Sequence, residues 1–402
     1  MTSWKVPMSL TLAPARLRVS HGLGFRVVAV AFATALAFST VPTPLYALYQ
    51  QRDGFPTFVV TVVFAAYAVG VMLSLYLAGH VSDWLGRRRV LLAGVLAEAF
   101  AAALFLLWPE VPGLIVARLV SGAGIGVITA TATAHLSELR PRTKPGLVAT
   151  VVNAGGLALG PLAGGLFARF AAEPLRTPFA VFLVVLLLEA IAVSLVPETV
   201  ERREERPAYR PQRLSLPPAA RREFTGAAIG AFAAFALSGL FMALAPTLLA
   251  HELHQPSRLL AGLAPFTMLG AAAVAQLVFA RIGFRPQLRA GYALMAGGLV
   301  LLAGAAFAGS LPWFFAAGAV AGAGFGLGFR ASVGTVAGLA DELTRGEVLA
   351  ALFLAAYAGL VAPVLAVGLA MLVAPGTVVL AGFAAVELVL LGWSARRTLG
   401  RA

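Results

Sequence analysis

The chain has 402 residues, of which 60% are hydrophobic and only 12% charged, and 30 Lys and Arg against 17 Asp and Glu leave a net charge of +13. Soluble domains carry about a quarter of their residues as charge, so this composition, with a mean hydropathy of +0.90, excludes a soluble globular fold and predicts an integral membrane protein. The lack of cysteine excludes a disulfide framework and a thiolate metal centre. The basic excess lies in short loops between apolar runs, which argues for a topology signal and against nucleic-acid binding.

Residues 1–24 hold Lys5, Arg16 and Arg18 without a short apolar core and a small-residue cleavage site, and are read as a retained cytoplasmic tail. Twelve apolar runs follow, at Phe25 to Tyr49, Thr57 to Ala78, Val90 to Trp108, Pro112 to His135, Gly146 to Phe170, Pro178 to Val196, Thr225 to Leu249, Leu259 to Ala280, Leu288 to Ala308, Leu311 to Ala340, Val348 to Val373 and Gly376 to Trp393. Each approaches the roughly 20 residues that span the hydrocarbon of a bilayer at 1.5 Å per residue. The pattern predicts an all-α membrane protein. Pro42-Thr43-Pro44 predicts a kink near the outer end of the first run. Lys and Arg concentrate in alternate connections, including Arg87 to Arg89, Arg140/Arg142/Lys144 and Arg281/Arg285/Arg289, while the opposite loops hold only Arg52, Arg169, Arg176 and Arg258. This asymmetry predicts that both termini are cytoplasmic. Residues 198–223 form the one long hydrophilic stretch, read as a solvated cytoplasmic linker between a bundle at 25–197 and a second at 224–395, with a tail at 396–402.

The halves resemble each other. Val120-Ser121-Gly122-Ala123-Gly124-Ile125-Gly126 recurs as Val320-Ala321-Gly322-Ala323-Gly324-Phe325-Gly326, and Gly86, Arg88, Ala93 and Gly94 recur as Gly283, Arg285, Ala290 and Gly291. A six-plus-six duplication with equivalent topology predicts two bundles facing each other across a central axis.

Three stretches carry chemistry. In the loop Gly79 to Leu91, Gly79 and Gly86 permit a tight turn and close helix approach, Asp83 is suited to face a helix N-terminus, and Arg87 to meet an acid, with Glu138 the obvious neighbour. A loop that only fixes topology is the bland alternative, but arginines alone would satisfy that rule without Asp83 or the glycines. Arg118 lies within the fourth run, where a charge is costly and therefore a functional candidate; snorkelling to the outer surface is the alternative. In the fifth run, Gly156, Gly160, Gly164 and Gly165 strip a groove for close helix approach, and Pro161 removes a backbone hydrogen bond.

With these stretches in hand, the chain resembles the major facilitator superfamily of secondary transporters from end to end. The loop matches that family's Gly-x-Leu-x-Asp-Arg-x-Gly-Arg-Arg through Gly79, Asp83, Gly86, Arg87 and Arg88, departing at Val81 and Trp84. The resemblance implies that these residues with Glu138 form a latch closing the cytoplasmic side. Arg118, with Gly122 and Gly126, resembles the family's helix-four motif, linked to proton transfer in antiporters. Gly156, Gly160, Pro161, Gly164 and Gly165 match Gly-x-x-x-Gly-Pro-x-x-Gly-Gly, which accompanies antiporters and above all drug exporters.

The family's fold would place the first, fourth, seventh and tenth helices around a cavity, with Ser39, Thr43, Tyr46, Asn153, Arg330 and Tyr357 as candidate lining residues. Those four helices contain no mid-membrane carboxylate. Glu98, Glu189 and Glu387 on the third, sixth and twelfth, or Asp53 at the outer end of the first, are then the candidate proton sites. The expectation is a monomeric alternating-access transporter of the bacterial cytoplasmic membrane that exports small amphipathic molecules in exchange for protons, with no metal or cofactor and no nucleic-acid partner. The alternative is an uptake permease for a metabolite or organic anion, suggested by Arg118 and Arg330. An ATP-driven pump lacks its phosphate-binding signature, and a membrane enzyme or receptor would need clustered His and carboxylates, whereas His21, His80, His135, His251 and His254 are dispersed.

Overall fold

Hydrocarbon offers no partner for a backbone N–H or C=O, so long apolar stretches must satisfy these groups internally, as helices. The computed structural model describes residues 19–140, 145–200, 209–212, 220–341 and 344–400, and among these residues there are fourteen α-helices and no strand. They are α1 (His21–Thr40), α2 (Tyr46–Asp53), α3 (Thr57–Ala78), α4 (Ser82–Leu85), α5 (Arg87–Leu107), α6 (Val111–Leu139), α7 (Pro145–Phe170), α8 (Thr177–Ser194), α9 (Arg221–His251), α10 (Arg258–Val278), α11 (Phe284–Ala308), α12 (Leu311–Ala337), α13 (Arg345–Ala370) and α14 (Gly376–Leu399). Twelve spans are long and apolar enough to cross a membrane, α1 and α2 forming one span and α4 being a single turn. The expected kink is present: α1 ends at Thr40, a 3-10 turn covers Thr43–Leu45, and α2 then resumes.

Several boundaries lie outside the apolar runs, because a helix continues past the last apolar residue as long as its end can be solvated or capped. Thus α1 begins inside the expected tail, where the Ser20 hydroxyl accepts from the Leu23 amide at 3.3 Å. Likewise α14 runs on to Leu399, with the Arg397 guanidinium over the Trp393 ring at 4.5 Å.

The duplicated glycines perform the same packing twice. A Cβ at Gly122 of α6 would strike the Tyr67 carbonyl of α3, and one at Gly322 of α12 the Met268 carbonyl of α10. A Cβ at Gly126 would meet Val71 and Ser74, and one at Gly326 would meet Ala272. On the other face, Cβ positions at Gly124 and Gly324 lie 3.2 and 2.8 Å from the Gly94 and Gly291 carbonyls. The central helix of each trio is therefore pressed between its two neighbours at backbone contact distance.

An even number of spans returns both chain ends to one face, here the terminal face. The halves meet towards the opposite, distal face, where Gly165 of α7 sits against Gly262 of α10 and Gly368 of α13 against Thr61 of α3. Burial follows the same gradient. Residues 236–249 of α9 and 38–46 of the first span are all buried, while the terminal half of α9 carries a half-buried stripe at Ile229, Phe232 and Phe235.

Candidate functional site

The charged loop is assembled from element ends that are remote in sequence. Gly86 has φ +100°, a conformation open to glycine, and a Cβ there would lie 2.5 Å from the Glu198 carboxylate. Glu198 Oε1 accepts from the Arg87 amide at 2.8 Å and so caps the N-terminus of α5, where a negative charge is favoured. Arg87 donates to Glu138 at 3.0 Å, to Ser82 at 2.7 Å and to Asp83. Arg88 reaches the carbonyls of Ser194 and Val196 at the end of α8, each at 3.4 Å. Thr199 donates to Glu138, and the His135 ring contacts the Pro197 carbonyl at 3.1 Å. Gly79 caps the last turn of α3.

Asp83 is the exception to its expected place. Its side chain is 61% exposed and pairs with Arg87, while Glu198 occupies the helix N-terminus. All of these ionic contacts lie within the first half. With the halves joined at the distal face, Asp83 has no second-half partner among the described residues.

The linker is more than a solvated tether. The Gln212 amide donates to the Tyr76 carbonyl at 2.8 Å, the Tyr209 hydroxyl donates to the Leu77 carbonyl at 3.0 Å, and the Tyr209 ring stacks on His80 at 6.2 Å. Together they satisfy carbonyls that the end of α3 leaves open.

Within the first half lies a buried polar group centred on Arg118, which is 2% exposed and therefore does not snorkel. Its guanidinium donates to the Ser39 carbonyl at 2.5 Å, stands 4.3 Å over the Tyr67 ring, and is faced by the Tyr46 hydroxyl. The Tyr46 hydroxyl itself makes no hydrogen bond of acceptable geometry. Tyr67 reaches the Ser39 hydroxyl at 3.5 Å. One turn along α6, Ser121 donates at 2.9 Å to Glu98, a fully buried carboxyl on α5.

The other candidate acids are placed differently. Asp53 is clamped by Arg52 through two contacts of 2.6 and 2.7 Å at the distal surface. Glu189 accepts from Thr34 of α1, and Glu387 is buried on α14 with Oε2 unpartnered.

The glycine stretch of α7 serves two contacts. A Cβ at Gly156 would lie 2.7 Å from the Ala33 carbonyl, and those at Gly160 and Gly164 would strike Thr40, Ala37, Val41 and Pro44, so this face belongs to the first span. Gly165 faces α10 instead, with a Cβ 3.0 Å from Gly262. Pro161 has no N–H for the Leu157 carbonyl, and the Thr40 hydroxyl approaches that carbonyl at 3.1 Å. The Ala37 carbonyl of α1 lies at the same 3.1 Å from that hydroxyl, so Thr40 shares its one proton and offsets the defect in part.

Among the expected cavity residues, Ser39, Thr43 and Tyr46 are buried in the first span and Asn153 is half-buried on α7. Tyr357 joins an aromatic cluster built by α9, α12 and α13, in which Phe235 lies 5.4 Å from Tyr357 and 4.9 Å from Phe329, and Phe329 lies 5.8 Å from Phe353. Arg330 is occupied elsewhere, donating to the Gln276 and Ala280 carbonyls at 2.7 and 2.9 Å and so capping the end of α10. No group of three His, Asp or Glu among the described residues could hold a metal.

Helix-pair geometry, duplicated halves and the charged loop are features of one transporter architecture, and residues 27–363 match the sequence profile of the Major Facilitator Superfamily. The chain belongs to this family. It is a multi-pass membrane transporter and not an enzyme. The multidrug transporter MdfA of Yersinia pestis bv. Antiqua is 29% identical over 303 residues, 71% of this chain and 72% of that protein. Monosaccharide-sensing protein 2 of Arabidopsis thaliana is 32% identical over 103 residues, and the chain spans just 13% of that longer protein. Two solved structures share the fold: the human organic anion transporter MFSD10, at TM-score 0.65 and 19% identity over 94% of this chain and all of that one, and a bacterial homologue of the human lysosomal transporter Spinster in an inward-facing, unoccupied conformation, at TM-score 0.69 and 14% identity over 94% and 95%.

Proposed function

We propose that this transporter exports small amphipathic molecules across the bacterial cytoplasmic membrane in exchange for protons, working as a monomer with both termini cytoplasmic. The observation that carries the substrate class is the engagement of both candidate anion-binding arginines by main-chain carbonyls, Arg118 by Ser39 and Arg330 by Gln276 and Ala280. An organic anion would have to displace those bonds. The second half offers an aromatic cluster instead, suited to flat apolar groups. The likeness to a multidrug transporter over most of the chain supports the same reading. In this view the charged loop with Asp83, Arg87 and Glu138 is a latch that engages the second half when the terminal face closes, and the α7 glycines form the seam along which the halves rock.

The test is accumulation of amphiphilic dyes in cells stripped of endogenous exporters, with and without a protonophore. Expression should lower dye accumulation, and the protonophore should abolish the difference. Unchanged dye levels with raised uptake of a metabolite or organic anion would overturn the proposal.

A further inference from the structure

Among the buried polar atoms of the first half that lack a hydrogen-bond partner are two of opposite kinds, Oε1 of the Glu98 carboxyl and Nε of Arg118, a donor. They belong to neighbouring turns of one polar group, since Ser121, which holds the other Glu98 oxygen, is one helical turn from Arg118. No ion pair joins them in this conformation. Arg118 points instead to the Ser39 carbonyl on α1 and to the Tyr67 ring on α3.

The place occupied by the Glu98 carboxyl is built for it. A Cβ at Gly124 would lie 2.6 Å from Oε1, so the α6 glycine leaves the slot into which the carboxyl fits. A carboxylate enclosed there without an ion-pair partner would carry a large desolvation cost, which the neutral acid avoids. The titratable groups facing Glu98 are Arg118 from α6 and Tyr67 from α3. From α8, the one titratable side chain is Glu189, turned to Thr34, and those of α1, His21 and Arg26, lie exposed at its terminal end.

We infer that Glu98 is the acid that carries the coupling proton, and that Arg118 passes from the Ser39 carbonyl to the Glu98 carboxylate when that proton leaves. This rests on the proton-exchange reading above. The step breaks the carboxyl O–H bond and gives the proton to water; Arg118 then pairs with the new negative charge. Arg118 stays charged throughout, so the pair goes from a net charge of +1 to zero. The mechanical consequence falls on α1. Ser39 lies one residue before the end of α1, next to the break at Thr43–Leu45, and its carbonyl is the tie between the first span and α6. Loss of the proton frees that tie at the hinge of the first span, and its return restores it.

Two measurements on the purified full-length protein test this. Infrared difference spectra across a pH titration should show a protonated carboxylic acid band in the wild type that is missing in Glu98→Gln; a band unchanged by the substitution overturns the assignment. In proteoliposomes, with ethidium as probe, Glu98→Gln should lose pH-gradient-driven accumulation by about tenfold or more relative to wild type. If wild type exchanges ethidium but ignores the gradient, the proton-exchange reading fails. If wild type is gradient-driven and Glu98→Gln remains so, the reading stands and the assignment to Glu98 fails. Should Glu98→Gln not fold, Glu98→Asp takes its place, and an unshifted pH profile of gradient-driven transport overturns the proposal.

Discussion

The two halves share a backbone plan and differ in what they place on it. By the glycine register, Glu98, Arg118 and Ser121 of the first half correspond to Met295, Gly318 and Ala321 of the second. Where Glu98 lies against Gly124, Met295 lies against Gly324, and at Gly318 a Cβ would meet the Phe241 ring at 3.0 Å, so an aromatic side chain fills the space. The charged loop shows the same contrast. Asp83 and Arg87 correspond to Ala280 and Phe284, and in the second loop the amide of Gln287 holds the turn through the Phe279 and Ile282 carbonyls. Backbone packing is what the duplication preserves. Among the described residues, the polar group of Arg118 and Glu98 and the ion-paired loop belong to the first half, and the second places apolar and aromatic side chains at the matching positions.

The shared part can be broken symmetrically. Gly122→Ala and Gly322→Ala each drive a methyl group into a facing backbone carbonyl, so both should lower stability by about 2–3 kcal/mol, read as matching falls in the thermal midpoint in detergent. A fall in one variant alone would refute the equivalence of α6 and α12. The unshared part should break asymmetrically. Arg87→Ala removes the partner of Glu138 and Asp83 and should cost about 1–2 kcal/mol after allowance for the exposure of both acids. Arg285 of the second loop, the counterpart of Arg88, is exposed, and Arg285→Ala should stay within about 0.5 kcal/mol of wild type.

How much of this was legible from residues alone follows the same division. Features set by local composition came through: the twelve spans, with α3 at Thr57–Ala78 as expected, the break at Pro42 to Pro44, and the repeated glycines. The pairing of Arg87 with Glu138 was also legible, because both belong to the ends of adjacent helices. Glu198 was not, since its place at the start of a hydrophilic stretch gave no sign that it would fold back onto Gly86 and the α5 N-terminus. The use of Arg118 and Arg330 by carbonyls was equally hidden, because main-chain acceptors leave no mark on residue type. Thr40 had a faint signal: Pro161 orphans a carbonyl, and a hydroxyl on the helix facing the glycine groove is a donor that can reach it.

That last contact yields the smallest expected effect. Thr40→Val leaves the Leu157 carbonyl without its hydroxyl partner and should cost about 1 kcal/mol, with Thr40→Ser close to wild type in the same thermal melt. Equal midpoints for the valine and serine variants would show that the hydroxyl is immaterial.

The central claim, that charge coupling belongs to the first half and to Glu98 within it, is tested most directly by comparing Glu98→Gln, Glu189→Gln and Glu387→Gln in one proteoliposome assay of ethidium driven by a pH gradient. Of the three, only Glu98→Gln should lose gradient-driven accumulation. Loss in Glu387→Gln with Glu98→Gln unaffected would place the coupling acid in the second half and contradict the account.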